Sequence, residues 1–389
     1  MKYDFDKPCE RRNTYSAKWD VGENELPMWI ADMDFETVPE AKEAVVAVAE
    51  RGVYGYSTLP DEYFESASDF YFNRHGYRFA PSDMIYSSGI VAAISSLVRR
   101  FTLPSEKVLL QTPVYNNFYN CVENNGRRVI ESKLLCEDGV YSIDFDDLEA
   151  KLSDPQTSLM ILCNPHNPIG KIWDRETLSR IGELCKKHSV TVISDEIHSE
   201  FTRPGTSYVP FASASEVCAD ISLTCISSSK TFNMAGLQAA CIVAKNKTLR
   251  HRAWRGFNND EIGEPNVFAV SANIAAYRHG SEWVDELLEY VFENRDIAYE
   301  YINSRIEGLR AVDSDATYLL WVDVSYYNKD SKAFAEDLRA KTGLYISDGT
   351  KYGSGGESYI RINLATQRAN VLDALSRLSR YVDMIKNKS

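Results

Sequence analysis

The chain lacks the features that would direct it to a membrane, a metal ion or a nucleic acid. Its first residues, Met1-Lys2-Tyr3-Asp4-Phe5-Asp6, carry charges where the apolar stretch of a signal peptide would sit, so no such peptide is expected. The longest apolar runs, such as 158–163, fall far short of a bilayer's thickness. Basic residues are outnumbered, 43 against 56 acidic, and the net charge of −13 argues against nucleic acid or an anionic membrane surface as a partner. Eight cysteines are scattered at 9, 121, 136, 163, 185, 218, 225 and 241 without a CxxC pair. No close cysteine–histidine spacing suggests zinc, and several of these thiols fall in apolar runs, as reduced core residues of a cytoplasmic protein do. Internal repeats and low-complexity segments are also missing.

What is present is an alternation. With 389 residues the chain suits two domains, or one large domain with a smaller appendage. From about residue 84 to 245, apolar runs at 107–111, 128–132, 159–163, 191–194, 221–226 and 239–244 read as strands. Helical patterns lie between them: Ile90, Ile94, Leu97, Val98 and Phe101 share one face of 90–101, and Leu178, Ile181 and Cys185 one face of 175–188. This order predicts an α/β domain with a mostly parallel sheet covered on both faces. After about residue 285 the pattern becomes α+β, with helices at 283–306, 332–342 and 368–385 and strands at 318–324 and 358–364. The expected division is an N-terminal arm with part of the small domain at 1–45, a large domain at 46–283 and a small domain at 284–389.

Ligands of α/β sheets bind at the carboxyl ends of the strands. Those ends read SSGIVAA (87–93), TPVYNNFY (112–119), CNPHNPIG (163–170), ISDEIH (193–198) and SSSK (227–230). Singly, each has a plain reading as a turn, a cap or a surface charge. Together they match the needs of a phosphorylated pyridine aldehyde. Such a group needs a lysine amine to bond it and a carboxylate at the ring nitrogen. It also needs a donor at the ring hydroxyl, a flat side chain against the ring, and a helix N-terminus for the phosphate. Lys230, Asp195, Asn167 or His198, Tyr115 and the Gly89–Val91 turn can supply these in that order. Arg361, within the apolar YIRINLA run, is either a ligand for a substrate carboxylate or half of an internal salt bridge.

The ordered set NPHNPIG, SDEIH, SSSKTFN and YIRIN resembles the fold-type I pyridoxal-phosphate enzymes of the class I/II aminotransferase superfamily, over nearly the whole chain. The resemblance implies a large domain with a mostly parallel seven-stranded sheet flanked by helices, plus a smaller α+β domain. It implies that Lys230 anchors pyridoxal 5'-phosphate covalently, that Asp195 pairs with its ring nitrogen and that Asn167 bonds its ring hydroxyl. Tyr115 would stack on the ring and take part in catalysis, and the backbone of Ile90 and Val91 would cradle the phosphate with Ser227. Tyr56, in VYGYS, would reach the phosphate of a partner subunit in a homodimer with shared sites. Arg361 would bind the substrate's α-carboxylate beside Asn167 and Tyr115.

Two departures narrow the branch. Gly236-Leu237-Gln238 stands where most members have Gly-x-Arg, and His198 stands where many have tyrosine. With WIADMDF (29–35) and GVYGYS (52–57), these resemble the MalY/PatB branch of cystathionine β-lyases and cysteine-S-conjugate C–S lyases. The implied reaction is α,β-elimination from a sulfur amino acid, giving a thiol, pyruvate and ammonia. An aminotransferase of the same superfamily is the alternative. A regulator with this fold would need an added basic module, and none is evident. Tyr15, Trp19, Trp29 and Tyr54 are candidates for an apolar pocket wall.

Overall fold

The computed structural model describes residues 2–387, so Met1, Lys388 and Ser389, at the outer ends of the expected arm and small domain, lie outside it. A seven-stranded sheet forms the centre. Its strands are β1 (Met84–Ser87), β2 (Lys107–Thr112), β3 (Arg128–Lys133), β4 (Thr157–Cys163), β5 (Thr191–Asp195), β6 (Ser222–Ile226) and β7 (Ala240–Val243). They lie in the order β1-β7-β6-β5-β4-β2-β3. All neighbours run parallel except β7, which is antiparallel to both β1 and β6. The strand patterns of the sequence locate six of these. The missing one, β1, is only four residues long and adjoins a glycine turn, too short to show a period.

Helices cover both faces, which is why these strands read as continuous apolar runs. Successive residues alternate between two cores. Val108, Leu110, Leu159, Ile161 and Leu223 pack under the Ile90–Phe101 helix, while Leu109, Met160, Leu162 and Val192 face Leu178, Ile181 and Cys185. A second sheet, of β8 (Arg310–Ala311), β9 (Leu319–Asp323), β10 (Ser347–Asp348) and β11 (Tyr359–Asn363), is antiparallel, in the order β8-β9-β11-β10. Leu320, Val322, Ile360 and Ile362 bury its apolar face against the helices Ser281–Arg305, Ser331–Thr342 and Arg368–Lys386. No described helix is long and apolar enough to cross a membrane. All eight cysteines are free, and no described group of three or more His, Cys, Asp or Glu could hold a metal ion.

The N-terminal arm ties the two sheets together. Leu26–Pro27 pairs in parallel with Leu344–Tyr345, and the chain then continues as an irregular, bent strap, residues 29–35. Side chains from distant elements take every carbonyl of that strap. Arg361 and Ser347 donate to Trp29, and Asn363 to Ile30 and Asp32. Lys230 and Tyr318 donate to Ala31, Arg11 and Asn233 to Met33, Gln367 to Asp34, and Asn233 again to Phe35. Beneath the strap, fully buried Lys18 donates to the Asp32 carbonyl at 2.9 Å and to the Asp34 carboxylate at 2.6 Å. Asp34 also accepts from Arg11 and from the Trp19 indole.

A buried ammonium without its carboxylate is costlier than a carboxylate that keeps two other donors. Asp34→Ala should therefore destabilise the fold by about 3–5 kcal/mol. Lys18→Met should cost clearly less, because Arg11 and Trp19 remain on Asp34. Urea denaturation of the two variants measures the difference, and equal losses would count against this ranking.

Candidate active site

The carboxyl ends of β4, β5 and β6 open onto a cavity of about 410 Å³. Asp195 is the last residue of β5 and lies in register between Cys163 of β4 and Cys225 of β6. It is buried and forms no ion pair with any described residue. Its one recorded side-chain partner is the Ile197 backbone N–H, at 3.2 Å. Burial pushes its carboxyl up to about 7, against the pull of that N–H.

Lys230 does not sit at the strand end itself. It lies in a single helical turn, Ser228–Thr231, that directly follows β6. The turn carries its side chain into the cavity, where Nζ donates to the Ala31 carbonyl. Enclosure there, with help from Arg361, lowers its amine to about 8, while Asp32 and Asp195 oppose the shift. An amine so lowered is neutral far more often at physiological pH than a surface lysine.

Asn167 is buried on the turn after β4. That turn ends at Gly170, whose φ of +67° and contacts rule out a side chain: a Cβ would meet the Ser314 hydroxyl at 2.3 Å and the Ala316 carbonyl at 2.5 Å. Asn167 Oδ1 accepts from Arg361 Nη1 at 3.1 Å, and Arg361 Nη2 donates to the Trp29 carbonyl at 2.9 Å. Arg361 is buried in β11, its Nε has no partner, and it enters none of the ion pairs among the described residues. The internal salt bridge that was the other reading of this residue is therefore not made. Its guanidinium lies over the Tyr352 ring, 5.2 Å from the centroid, and meets the cavity through Asn167 rather than lining it.

His198 lines the cavity with an unpartnered Nδ1, edge-on to Tyr318. Burial, reinforced by the charges of Lys230 and Arg361, lowers it to about 3, so it is neutral at ordinary pH. Tyr115 forms a wall, packed edge to face on Phe118 with centroids 5.5 Å apart. The Ile90–Phe101 helix presents Ile90, Val91 and Ala92 to the opposite end of the cavity. Gly89 precedes it with φ of +128°, a conformation closed to other residues, and no side chain caps the helix. An uncapped helix N-terminus is a ready anion site.

The residues therefore fit a phosphorylated pyridine aldehyde by their own chemistry. An uncapped terminus faces an anion, an unpaired buried carboxyl faces a ring nitrogen, and a depressed amine faces an aldehyde. Two expectations change. Ser227 does not line the cavity: its hydroxyl donates to the Ala239 carbonyl at 2.7 Å and caps its own turn by accepting from the Ser229 N–H. Ser229 and Ser88 line the cavity instead, together with Gln238 at the position where an arginine was missing. The SSSK run shows that a serine is available, but only the helical turn decides which one points inward. Of the proposed aromatic wall, Tyr15, Trp19, Trp29 and Tyr54 all lie outside the cavity. Tyr15 is fully exposed, Tyr54 donates to the Ala49 carbonyl, Trp19 to Asp34, and Trp29 stacks on Tyr345. Tyr56 is 103% exposed and does not enter the site of its own chain.

The model of the family described as aminotransferase class I and II matches residues 23–378. Cystathionine beta-lyase PatB of Bacillus subtilis is 42% identical over 96% of this chain and 98% of its own length. Protein MalY of Escherichia coli is 30% identical over 99% of this chain and the whole of its own. Among solved structures, cystalysin of Treponema denticola, which contains a pyridoxal 5'-phosphate cofactor, superposes with a TM-score of 0.94 at 31% identity, covering 99% and 100% of the two chains. With the family model spanning both sheets and every strand end of the site, the chain belongs to the class I and II aminotransferase family.

Proposed function

We propose that the chain is a pyridoxal-phosphate-dependent carbon–sulfur β-lyase, cleaving a sulfur-bearing L-amino acid to a thiol, pyruvate and ammonia. The observation that carries it is the convergence of Lys230, Asp195 and Asn167 on one cavity, with an unpaired Arg361 behind. Relatives named as cystathionine β-lyases and structures of C–S lyases, alike over nearly the full chain, support the choice of branch.

When bound, the cofactor supplies an electron-withdrawing ring that accepts the pair released at the substrate's Cα. Asp195 would keep the proton on the ring nitrogen, and Asn167, with neutral His198 also on the cavity wall, would hold the ring hydroxyl. Ile90 and Val91 would donate backbone N–H groups to the phosphate, with a serine of the 227–229 run and the partner's side of a dimer completing the cradle. Arg361 takes the substrate carboxylate, which orients Cα–H toward Lys230. Lys230 is the covalent anchor, and its freed Nζ takes the Cα proton. Tyr115 flanks the ring and faces the substituent on Cβ.

The arm at 1–45, the cofactor domain at 46–283 and the small domain at 284–389 are part of this reading. It is supported by the pairing of Leu26–Pro27 with Leu344–Tyr345, while its two boundaries fall inside the helices Pro39–Glu50 and Ser281–Arg305 and belong at the starts of those helices. A reduced, cytoplasmic setting accords with eight free cysteines.

Product analysis tests the reaction. Cystathionine or an S-alkyl cysteine should release pyruvate and ammonia with no keto acid present. Faster turnover of alanine or an aromatic amino acid with 2-oxoglutarate would make the protein an aminotransferase instead.

The depressed amine of Lys230 has its own signature. Only the neutral amine attacks an aldehyde, so covalent uptake of pyridoxal phosphate by the cofactor-free protein should quicken with rising pH and level off above about 8. Mass spectrometry after borohydride trapping reads the rate. A midpoint near the ordinary lysine value of 10.5 would contradict the enclosure described. Lys230→Ala should take up no trapped cofactor at any pH.

A homodimer with shared sites is the matching assembly, with Tyr56 given to the neighbour. In support, residues 52–56 lie exposed and Tyr56 makes no recorded hydrogen bond within its own chain. Mixed Tyr56→Phe and Lys230→Ala subunits should recover part of the activity that each lacks alone. A fully active monomer in sedimentation at assay concentration would refute the shared site.

A further inference from the structure

The hydroxyl of Tyr115 is held by two asparagines one helical turn apart. Asn117, the first residue of the Asn117–Glu123 helix, donates from Nδ2 to the Tyr115 oxygen at 2.7 Å. Asn120 donates in turn from its Nδ2 to Asn117 Oδ1 at 3.2 Å. As the two amides are oriented, Asn117 turns its donor nitrogen to Tyr115 and its Oδ1 to Asn120. The phenol oxygen is thus the acceptor in this pair. A hydroxyl has one hydrogen of its own to give, and none of the recorded hydrogen bonds has the Tyr115 hydroxyl as donor. The ring cannot swing to find a new partner, because Phe118, itself buried, packs edge-on against it. Arg361, Asp195 and Tyr352 are the charged and titratable groups around it.

We propose that Asn117 is a positioning residue: by occupying the Tyr115 oxygen as a donor, it turns the phenol's hydrogen toward the substituent on the substrate's Cβ, where the sulfur departs. This rests on the lyase reading. The Cα proton goes to Lys230 Nζ, the Cα–H electron pair becomes the Cα–Cβ π bond, and the Cβ–S pair leaves on sulfur. Tyr115 gives that sulfur its proton, so a neutral thiol departs, and the proton held on Lys230 Nζ returns to the phenolate through water. A donor on the phenol oxygen stabilises the charge that builds there as the proton leaves.

Asn117→Asp reverses the bond, because a carboxylate can only accept and would draw the phenol hydrogen away from the substrate. An alkyl thiolate is a basic leaving group that gains from protonation, whereas chloride needs none. With S-ethyl-cysteine, Asn117→Asp should lower kcat by roughly a hundredfold, the low end of the range for one general acid. With β-chloroalanine its kcat should stay within about twofold of the parent, an outcome a merely structural lesion would not give. Asn117→Ala should fall between. An independent reading comes from ultraviolet difference titration of the cofactor-free protein, with Tyr115→Phe as the blank. The Tyr115 midpoint should rise in Asn117→Ala and rise further in Asn117→Asp.

Equal losses on the two substrates, or an unmoved Tyr115 midpoint, would overturn the role given to Asn117. If the parent protein eliminates neither substrate, the lyase reading fails and this role fails with it, whether or not the titration still reports the contact.

Discussion

Three ionisable groups, the Lys230 amine and the Asp195 carboxyl on the wall of one cavity and the Arg361 guanidinium behind Asn167, form no ion pair with one another or with any described neighbour. Left alone, such groups are expensive, and the depressed amine and raised carboxyl are the measure of it. The fold has to keep them apart, since direct pairing would be the cheapest way to satisfy them. It does so by mounting each on a different rigid element. Asp195 ends a strand of the central sheet, Lys230 sits on the turn after the next strand, and Arg361 belongs to the other sheet altogether. A ligand with an anion, a cation-forming nitrogen and an aldehyde then answers charges that the protein has declined to answer itself.

The strap at 29–35 lets the two sheets act as one wall. Arg361 and Asn363 reach it from β11 of the antiparallel sheet, and Lys230 and Asn233 from the chain that follows β6 of the central one. Beneath it, Lys18, Asp34 and Arg11 form a buried charge network whose geometry leaves no carboxylate of Asp34 unsatisfied. The spacing between Lys230 and Arg361 is therefore set by a piece of backbone to which both side chains donate.

Much of this was legible in the sequence, and the boundary of legibility has a physical cause. Asp195, Asn167 and Lys230 each follow an apolar run closely, so strand ends alone put them on one edge, and Arg361 betrays itself as a charge inside a strand. The choice between Ser227 and Ser229 depends on the rotation of a single helical turn, which no periodicity records. Asn117 could not be singled out within TPVYNNFY, because its part depends on a side-chain contact with Tyr115 two residues away. β1 was too short to show a pattern, and the antiparallel course of β7 is a matter of chain direction rather than of composition. The aromatic wall failed for a related reason: ring content says nothing about which rings turn inward.

The grip on the strap is made almost wholly through main-chain oxygens, and every amino acid brings one. Replacing Trp29, Ile30 or Ala31 with another residue leaves the acceptors for Arg361, Asn363 and Lys230 in place. The positions of Lys230 and Arg361 relative to each other thus answer to the path of the main chain at 29–31, whichever side chains it carries there.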